Sequence, residues 1–258
     1  MQNEIKKFFK GDVDITDATL ATYSHDASCF EIKPKIVVFP KDSDDIRNLV
    51  KWVNDNKRND PTLSITVRAA GTCMSGGAIN ESIIMDVTRY MNSVISIKKS
   101  FAEKMTPHFS GAKEVVVSGE AVVMPGVMYR DFEKRADAEG LLLPCYTASK
   151  SINALGGMVG NNSGGELTLL YGKTEDYIKE LKVVLQDGNE YTVKPLTRRE
   201  LYSKIAQVDI EGQTYKKIFD LIKENEKVSV SAEALFFFGH STSFWDGNNT
   251  GPAVREMI

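Results

Sequence analysis

The run Lys35-Ile36-Val37-Val38-Phe39-Pro40 is continuously apolar between a lysine and a proline, a pattern that predicts a buried strand. Beyond it, Ile46, Leu49, Val50 and Val53 recur at the spacing of one helical face, and Ser43 stands where a cap is expected. Ile65-Thr66-Val67-Arg68 and Ile83 to Val87 read as two further strands with a glycine-rich turn between them. Strand, helix, strand, loop, strand makes a compact α/β unit. The pattern then changes. Val115 to Val123 is rich in β-formers, and Lys179 to Gln186 alternates before Asp187-Gly188, a hairpin signal that leads into Tyr191-Thr192-Val193. A helix is predicted from Gly126 to Glu139, where Met128, Phe132 and Ala136 lie four apart and Gly140 is placed to end it. Tyr215, Ile218, Phe219 and Ile222 predict another within Thr214 to Lys227. The expected class is α+β, a small parallel α/β unit beside a larger, mainly antiparallel sheet with helices. Val228 to Ile258 fits neither part: Leu235-Phe236-Phe237-Phe238 is apolar, but Gly-, Ser- and Asn-rich sequence without a period surrounds it. A weakly ordered tail, or family sequence replaced by an altered reading frame, is expected there.

Composition narrows the partners. A net charge of -3 over 258 residues provides no basic excess, so nucleic-acid binding is excluded as an expectation. Met1 to Lys10 mixes charges with isolated apolar residues, unlike a secretory signal, and no later run approaches the roughly 20 apolar residues that span a bilayer. The expected place is the cytoplasm, either free or peripheral to the inner face of the membrane. Cys29, Cys73 and Cys145 are too few and too scattered for a disulfide framework or a zinc site, and Cys73 and Cys145 read as small packing residues. His25, His108 and His240 form no helical pair, so no metal is expected.

Two glycine-rich stretches carry the candidate chemistry. In Arg68 to Ala78, Gly71, Gly76 and Gly77 remove Cβ atoms from a turn that directly follows a strand, which lets backbone N–H groups converge on an anion. Thr72 and Ser75 add hydroxyls suited to a pyrophosphate. From Ser149 to Gly165 five glycines, Gly156, Gly157, Gly160, Gly164 and Gly165, interleave with Asn161, Asn162 and Ser163. Glycine is destabilising by roughly 0.5–1 kcal/mol relative to alanine in ordered structure, so this density implies that side chains would collide with something. Two other motifs fail. Gly172-Lys173-Thr174 resembles the end of a P-loop, but Leu167 stands where its first glycine belongs. Gly157-Met158-Val159-Gly160 lacks the G-x-G-x-x-G order and is not expected to open a helix after a strand, so a Rossmann site is unsupported.

Taken in order, these features resemble the FAD-binding domain of the vanillyl-alcohol oxidase and p-cresol methylhydroxylase superfamily, in its glycolate oxidase and D-lactate dehydrogenase branch. The resemblance runs from Tyr23 to Val193. Its markers are Tyr23-Ser24-His25-Asp26-Ala27-Ser28, Arg68-Ala69-Ala70-Gly71-Thr72 with Ser75-Gly76-Gly77-Ala78, Asp86 to Met91, Pro125-Gly126-Val127, Leu143-Pro144, Ile152 to Gly165, and Tyr171-Gly172 onward to Gly188. It implies a PCMH-type domain over 20–195, with subdomains at 20–92 and 93–195 and FAD held non-covalently between them. A helical extension over 196–227 and the atypical tail at 228–258 would follow. Carried over by position, Ala70, Gly71, Thr72, Cys73, Met74 and Ser75 would grip the pyrophosphate through their backbone, with Gly76 and Gly77 completing the loop. Pro144, Ser149, Ser151 and Ile152 would line the flavin and ribityl chain. Gly156, Gly157, Gly160, Asn161, Ser163 and Gly164 would pack on the cofactor from the other subdomain. The implied reaction is hydride removal from a 2-hydroxy acid, with electrons passed to an unidentified acceptor. Relatives of this kind continue into a cap domain with the substrate and base residues, which is not recognisable here. The chain therefore reads as C-terminally truncated, with no catalytic residue assignable and with a complementing chain as the expected source of the cap. A flavin-binding fragment without catalysis and an NADPH-dependent reductase of the same superfamily are the alternative readings.

Overall fold

The computed structural model describes residues 1–105 and 113–225, of which 102–105 and 113–117 are described by their backbone alone. The predicted tail, with Leu235 to Phe238, lies outside the described residues, as do His108 and His240.

The chain opens with α1 (Gln2–Ile5), β1 (Asp12–Asp14) and α2 (Asp17–Tyr23), followed by β2 (Ile36–Phe39), α3 (Ser43–Asn56), β3 (Ile65–Arg68) and β4 (Ile83–Asp86). The four strands form one sheet in the order β1-β2-β4-β3, with β2, β4 and β3 parallel and β1 antiparallel at the edge. Every residue of β2 and of β4 is buried. Their unbroken apolar runs follow from central strands covered on both faces. On one face Ile36, Val38, Ile83 and Met85 pack with Leu49 and Val53 of α3 and with Ile5. On the other, Val37, Phe39 and Ile84 pack with Leu20 of α2. The cap of α3 is Asp42, one residue before the predicted Ser43, because its carboxylate accepts from Asp45 N. Asp45 is itself fully buried, and its carboxylate accepts from the amides of Lys10, Gly11 and Lys41. The bonds from Lys10 and Gly11 fasten the N-terminal segment to α3.

The second part begins with an antiparallel hairpin of β5 (Val94–Met105) and β6 (Lys113–Val123). Then come α4 (Tyr129–Ala138), α5 (Leu155–Gly160), α6 (Thr168–Tyr171), and a second hairpin of β7 (Leu181–Val184) and β8 (Glu190–Val193). Gly140 (φ 66°) ends α4 as expected, and Gly188 (φ 70°) makes the β7–β8 turn. The second part is antiparallel as expected, but as two separate two-stranded ladders rather than one larger sheet among the described residues. Val94, Val127, Tyr129, Phe132, Ala136, Cys145, Leu155 and Met158 form its core. Burial raises the Cys145 thiol, which suits a packing residue. The helical extension is α7 (Arg198–Ile205), opened by a Thr197–Glu200 capping box, and α8 (Ile210–Glu224), which starts four residues before the predicted Thr214 on an Asp209 cap.

Two close backbone approaches join the parts. Gly126 N donates to Met91 O at 2.8 Å, and a Cβ at Gly126 would collide with Val87 O and lie 2.8 Å from Met91 O. At the other junction the β7–β8 turn rests on α3, where a Cβ at Gly188 would meet the Lys51 side chain and lie 2.8 Å from Arg47 O.

Candidate functional site

The first glycine-rich stretch leaves the C-terminal end of β3, the edge at which parallel sheets receive ligands. Gly71 (φ 69°) and Gly76 (φ 78°) both occupy the left-handed region, which bends the chain into a concave loop. Neighbouring elements hold it from below. Ala27 N donates to Gly71 O at 3.1 Å, Ala78 N to the Asp26 carboxylate at 3.3 Å, and Arg68 Nη1 to His25 O at 2.7 Å. The outward side is different. Among the described residues, the amides of 70–74 and 76 donate to no protein oxygen, while those of Ser75 and Gly77 turn toward the Cys73 sulfur. Such a run of free N–H groups is complementary to an anion.

Cys73 is half-buried at this loop and belongs to no core cluster, which corrects its reading as a packing residue. Burial alone would raise its thiol, but the Ser75 hydroxyl at 3.2 Å and the Ser75 and Gly77 amides outweigh that effect and lower it. Met74 projects into solvent, 83 % exposed, and Ser75 and Gly77 are exposed beside it.

The second stretch faces the first through one contact. A Cβ at Gly157 would touch Ala69 Cβ at 3.4 Å, which sets the start of the 69–78 loop against the first turn of α5. A short helix forms here, yet no strand leads into it, in keeping with the expectation that this stretch does not open a helix after a strand. An antiparallel bridge between Met128 and Ala154, not a strand, precedes α5. Leu155 N donates to Val127 O and Gly156 N to Pro125 O, each at 2.8 Å, while Leu155 and Met158 are buried in the second core. Packing thus imposes a helix on a segment that is half glycine.

The glycines of this stretch differ in what they approach. A Cβ at Gly156 would stand 2.5 Å from Pro125 O, and one at Gly165 would collide with Tyr146 O. At Gly160 a Cβ would meet nothing within 4 Å. Beyond α5 the chain turns at Asn162 (φ 44°), and Ser163 O accepts from both Thr174 N and Thr174 Oγ1. Gly164 lies against Thr168, and Asn161 and Gly164 are exposed. Among the described contacts, Asn161, Ser163 and Gly164 do not touch residues 70–77.

Residues 144–152 lead into α5 and lie beside Gly165 through Tyr146 and Thr147. Tyr129 Oη donates to Leu143 O just before Pro144, Ser149 Oγ lies 2.9 Å from Thr147 Oγ1, and Arg130 Nη1 donates to Ser151 O at 3.1 Å. Ile152 is 57 % exposed, an apolar side chain presented to solvent next to the buried Asn153. Asn153 was not singled out in the sequence. Its Nδ2 donates to Thr147 Oγ1 at 2.7 Å while its Oδ1 is buried without a partner among the described residues. An unmet buried acceptor in an apolar setting has no sequence signature, since its fate depends on distant donors.

No cluster of potential metal ligands occurs among the described residues, and no helix among them is long and apolar enough to cross a membrane. A cavity of about 260 Å³ lined by Lys194, Leu196, Arg199 and Lys204, among others, lies on the helical extension and shares no residue with either glycine-rich stretch.

A family model described as an FAD binding domain matches residues 34–194. D-2-hydroxyglutarate dehydrogenase of Escherichia coli (strain K12) is 27% identical over 223 residues, which are 86% of this chain and 20% of that protein. Glycolate oxidase subunit GlcD of Bacillus subtilis (strain 168) is 29% identical over 178 residues, 68% of this chain and 33% of that one. Among solved structures, 6-hydroxy-D-nicotine oxidase from Arthrobacter nicotinovorans shares the fold with a TM-score of 0.55 at 22% identity, over 75% of this chain and 38% of its own. The chain thus spans a fifth to a third of the length of these relatives.

Proposed function

The chain belongs to the FAD-binding domain family, and on that premise we propose that it is the cofactor-holding part of a flavin-dependent 2-hydroxy-acid dehydrogenase or oxidase. The observation that carries this reading is the loop of unpaired amides at 70–74 and 76 set against α5 through Ala69 and Gly157. The residues present fit the cofactor. Ala70 to Ser75, completed by Gly76 and Gly77, receive the diphosphate through N–H groups, which suit an anion that needs several hydrogen bonds and no large countercharge. The open space over Gly160 accepts a flat group that a side chain would displace. Gly157 and the following turn through Asn161, Ser163 and Gly164 cover it from one side, and Pro144, Ser149, Ser151 and Ile152 from the other. In this reading Ile152 offers its exposed apolar side chain to the ring system rather than to water.

FAD, when bound, supplies the hydride acceptor that the oxidation of a hydroxy acid requires. The chain's own residues bind and orient. The attachment is read as non-covalent, a reading supported by Cys145 being enclosed in the second core and Cys73 lying in the proposed diphosphate loop. Substrate recognition and proton abstraction are assigned to none of the described residues. The length relation also favours a second reading, in which the isolated chain binds FAD and does not turn over.

The test is titration of the purified chain with FAD, followed by anaerobic addition of D-2-hydroxyglutarate, D-lactate and glycolate. A resolved flavin spectrum with quenched fluorescence is expected on binding, and its absence would sink the cofactor reading. Bleaching by a hydroxy acid supports the enzyme; an unbleached but bound flavin selects the non-catalytic reading. Rapid bleaching by NADPH would instead favour a reductase.

A further inference from the structure

Arg68 is the last residue of β3, and its guanidinium lies inside the curve of the diphosphate loop. A Cβ at Gly71 would run into it, with Cζ at 2.7 Å and Nε at 2.9 Å. The left-handed turn at Gly71 is therefore wrapped directly over this side chain. Nη1 donates to His25 O at 2.7 Å and reaches Ala78 O at 3.4 Å, so one group ties the 24–27 segment to the far end of the loop. The guanidinium also stacks 5.0 Å from the Tyr23 ring centroid. Tyr23 is fixed in turn, because its hydroxyl donates at 2.6 Å to the buried Asp86 carboxylate, whose other oxygen accepts from Thr88 N and Oγ1. Arg68 thus rests on a floor built from the ends of α2 and β4.

The charge of this group is not cancelled by an ion pair. Among the described residues its hydrogen-bond partners are carbonyl oxygens, and the nearby Asp86 carboxylate is occupied by Tyr23 and Thr88. The guanidinium keeps its charge at the foot of the loop, offset in part by the neighbouring Asp86 carboxylate, and the loop amides of 70–74 and 76 have no protein acceptor among the described residues.

We propose that Arg68 is a positioning residue of the cofactor site, holding the 69–78 loop in its open curve and supplying a positive charge beneath the FAD diphosphate. The inference rests on the reading of that loop as the diphosphate cradle. Lysine would keep the charge without the planar guanidinium that stacks on Tyr23 while its Nη1 reaches His25 O and Ala78 O, and methionine would remove both charge and donors.

The experiment measures FAD dissociation constants by flavin fluorescence for the full chain and for Arg68→Met and Arg68→Lys, at low and high salt, with melting of each ligand-free protein as the control. For R68M, at least a tenfold loss of FAD affinity is expected, together with a flatter dependence on salt, because screening acts on the charge that was removed. R68K should keep the wild-type salt dependence and lose affinity by a smaller factor. A purely structural arginine would change affinity and ligand-free melting together and leave the salt dependence unaltered; that outcome overturns the proposal. If R68M fails to fold, R68K decides, and wild-type FAD affinity in R68K refutes the positioning role. Wild-type protein that binds no FAD defeats the cradle reading itself, whereas wild-type binding with unaffected variants defeats only the inference about Arg68.

Discussion

Replacing Gly160 with alanine separates the stability of the chain from its affinity for the cofactor. Gly160 is the last residue of α5, its φ is not in the left-handed region, and a Cβ there meets nothing within 4 Å. Alanine is therefore unopposed by the protein and should stabilise it by about 0.4–1 kcal/mol, by restricting the unfolded chain and favouring the helix. In a domain of this size that raises the melting temperature by roughly 1–4 °C. The same methyl would stand in the space assigned to the flavin. Overpacking typically costs about 1–3 kcal/mol, and about 1.4 kcal/mol already weakens binding tenfold. At an FAD concentration 100 times the wild-type dissociation constant, ligand stabilisation of about 2.7 kcal/mol would fall to about 1.4 kcal/mol in such a variant. Melting curves with and without FAD, together with fluorescence titration, measure both quantities on one sample. Gly156→Ala is the internal contrast, because a Cβ there stands 2.5 Å from Pro125 O and should lower the melting temperature of the ligand-free protein. A G160A variant that melts higher and binds FAD as tightly as wild type would show that the space above α5 is not occupied by the cofactor, and the reasoning would fail.

Two further outcomes follow from other parts of the structure. Gly126→Ala drives a Cβ into Val87 O at the joint between the two parts, so a loss of about 1–3 kcal/mol is expected; a melting temperature within a degree of wild type would contradict that packing. Burial, then the hydrogen bond to the Asp86 carboxylate, pushes the Tyr23 phenol above its usual value of 10.0. The phenol's folded-state value is raised, so its contribution to stability is complete below about pH 10 and is lost as pH rises through the folded value. Tyr23→Phe should cost about 1 kcal/mol at pH 8 through the lost bond to Asp86, yet lose less on going from pH 8 to pH 11 than wild type does. Tyr129, also raised chiefly by burial, and Tyr191, pushed up to about 12, keep part of the alkaline slope in the variant. Urea midpoints at the two pH values give the comparison, and an identical alkaline loss in Y23F would rule out the assignment.

Legibility in the sequence followed the number of faces an element buries. β2 and β4 are enclosed on both sides, so their apolar runs were unmistakable, and α3 presents one clean stripe to them. β5 was missed because Lys98, Lys99 and Ser100 interrupt any alternation; its strand is set by an eleven-residue register with β6, which no local pattern reports. α7 is legible only as part of a helical extension, although Thr197 and Glu200 stand at the spacing of a capping box. α5 was opaque for a stronger reason. Its intrinsic preference is against a helix, and the bonds that impose one come from Pro125 and Val127, some thirty residues upstream. At the site, the two glycine-rich stretches were legible, while the Arg68, Tyr23 and Asp86 arrangement was not, because its members meet only when β3, α2 and β4 are assembled.

Glycine density also needs a finer interpretation than the sequence allows. Five glycines between Gly156 and Gly165 suggest one bulky ligand that excludes side chains, but the chain itself answers several of them. Gly156 is required by Pro125, Gly165 by Tyr146, and Gly164 by Thr168. These would be glycine in a protein that bound nothing, since they let α5 and the following turn sit close against their neighbours. Gly126 belongs with them, because its approach to Val87 and Met91 brings the second part near the C-terminal edge of the parallel sheet. Self-packing thus accounts for these glycines, and the proposed cofactor site rests on a narrower set: the free amides after Ala69, the contact at Gly157 and the open space over Gly160. Substitutions at the first group should act through folding and those at the second through binding.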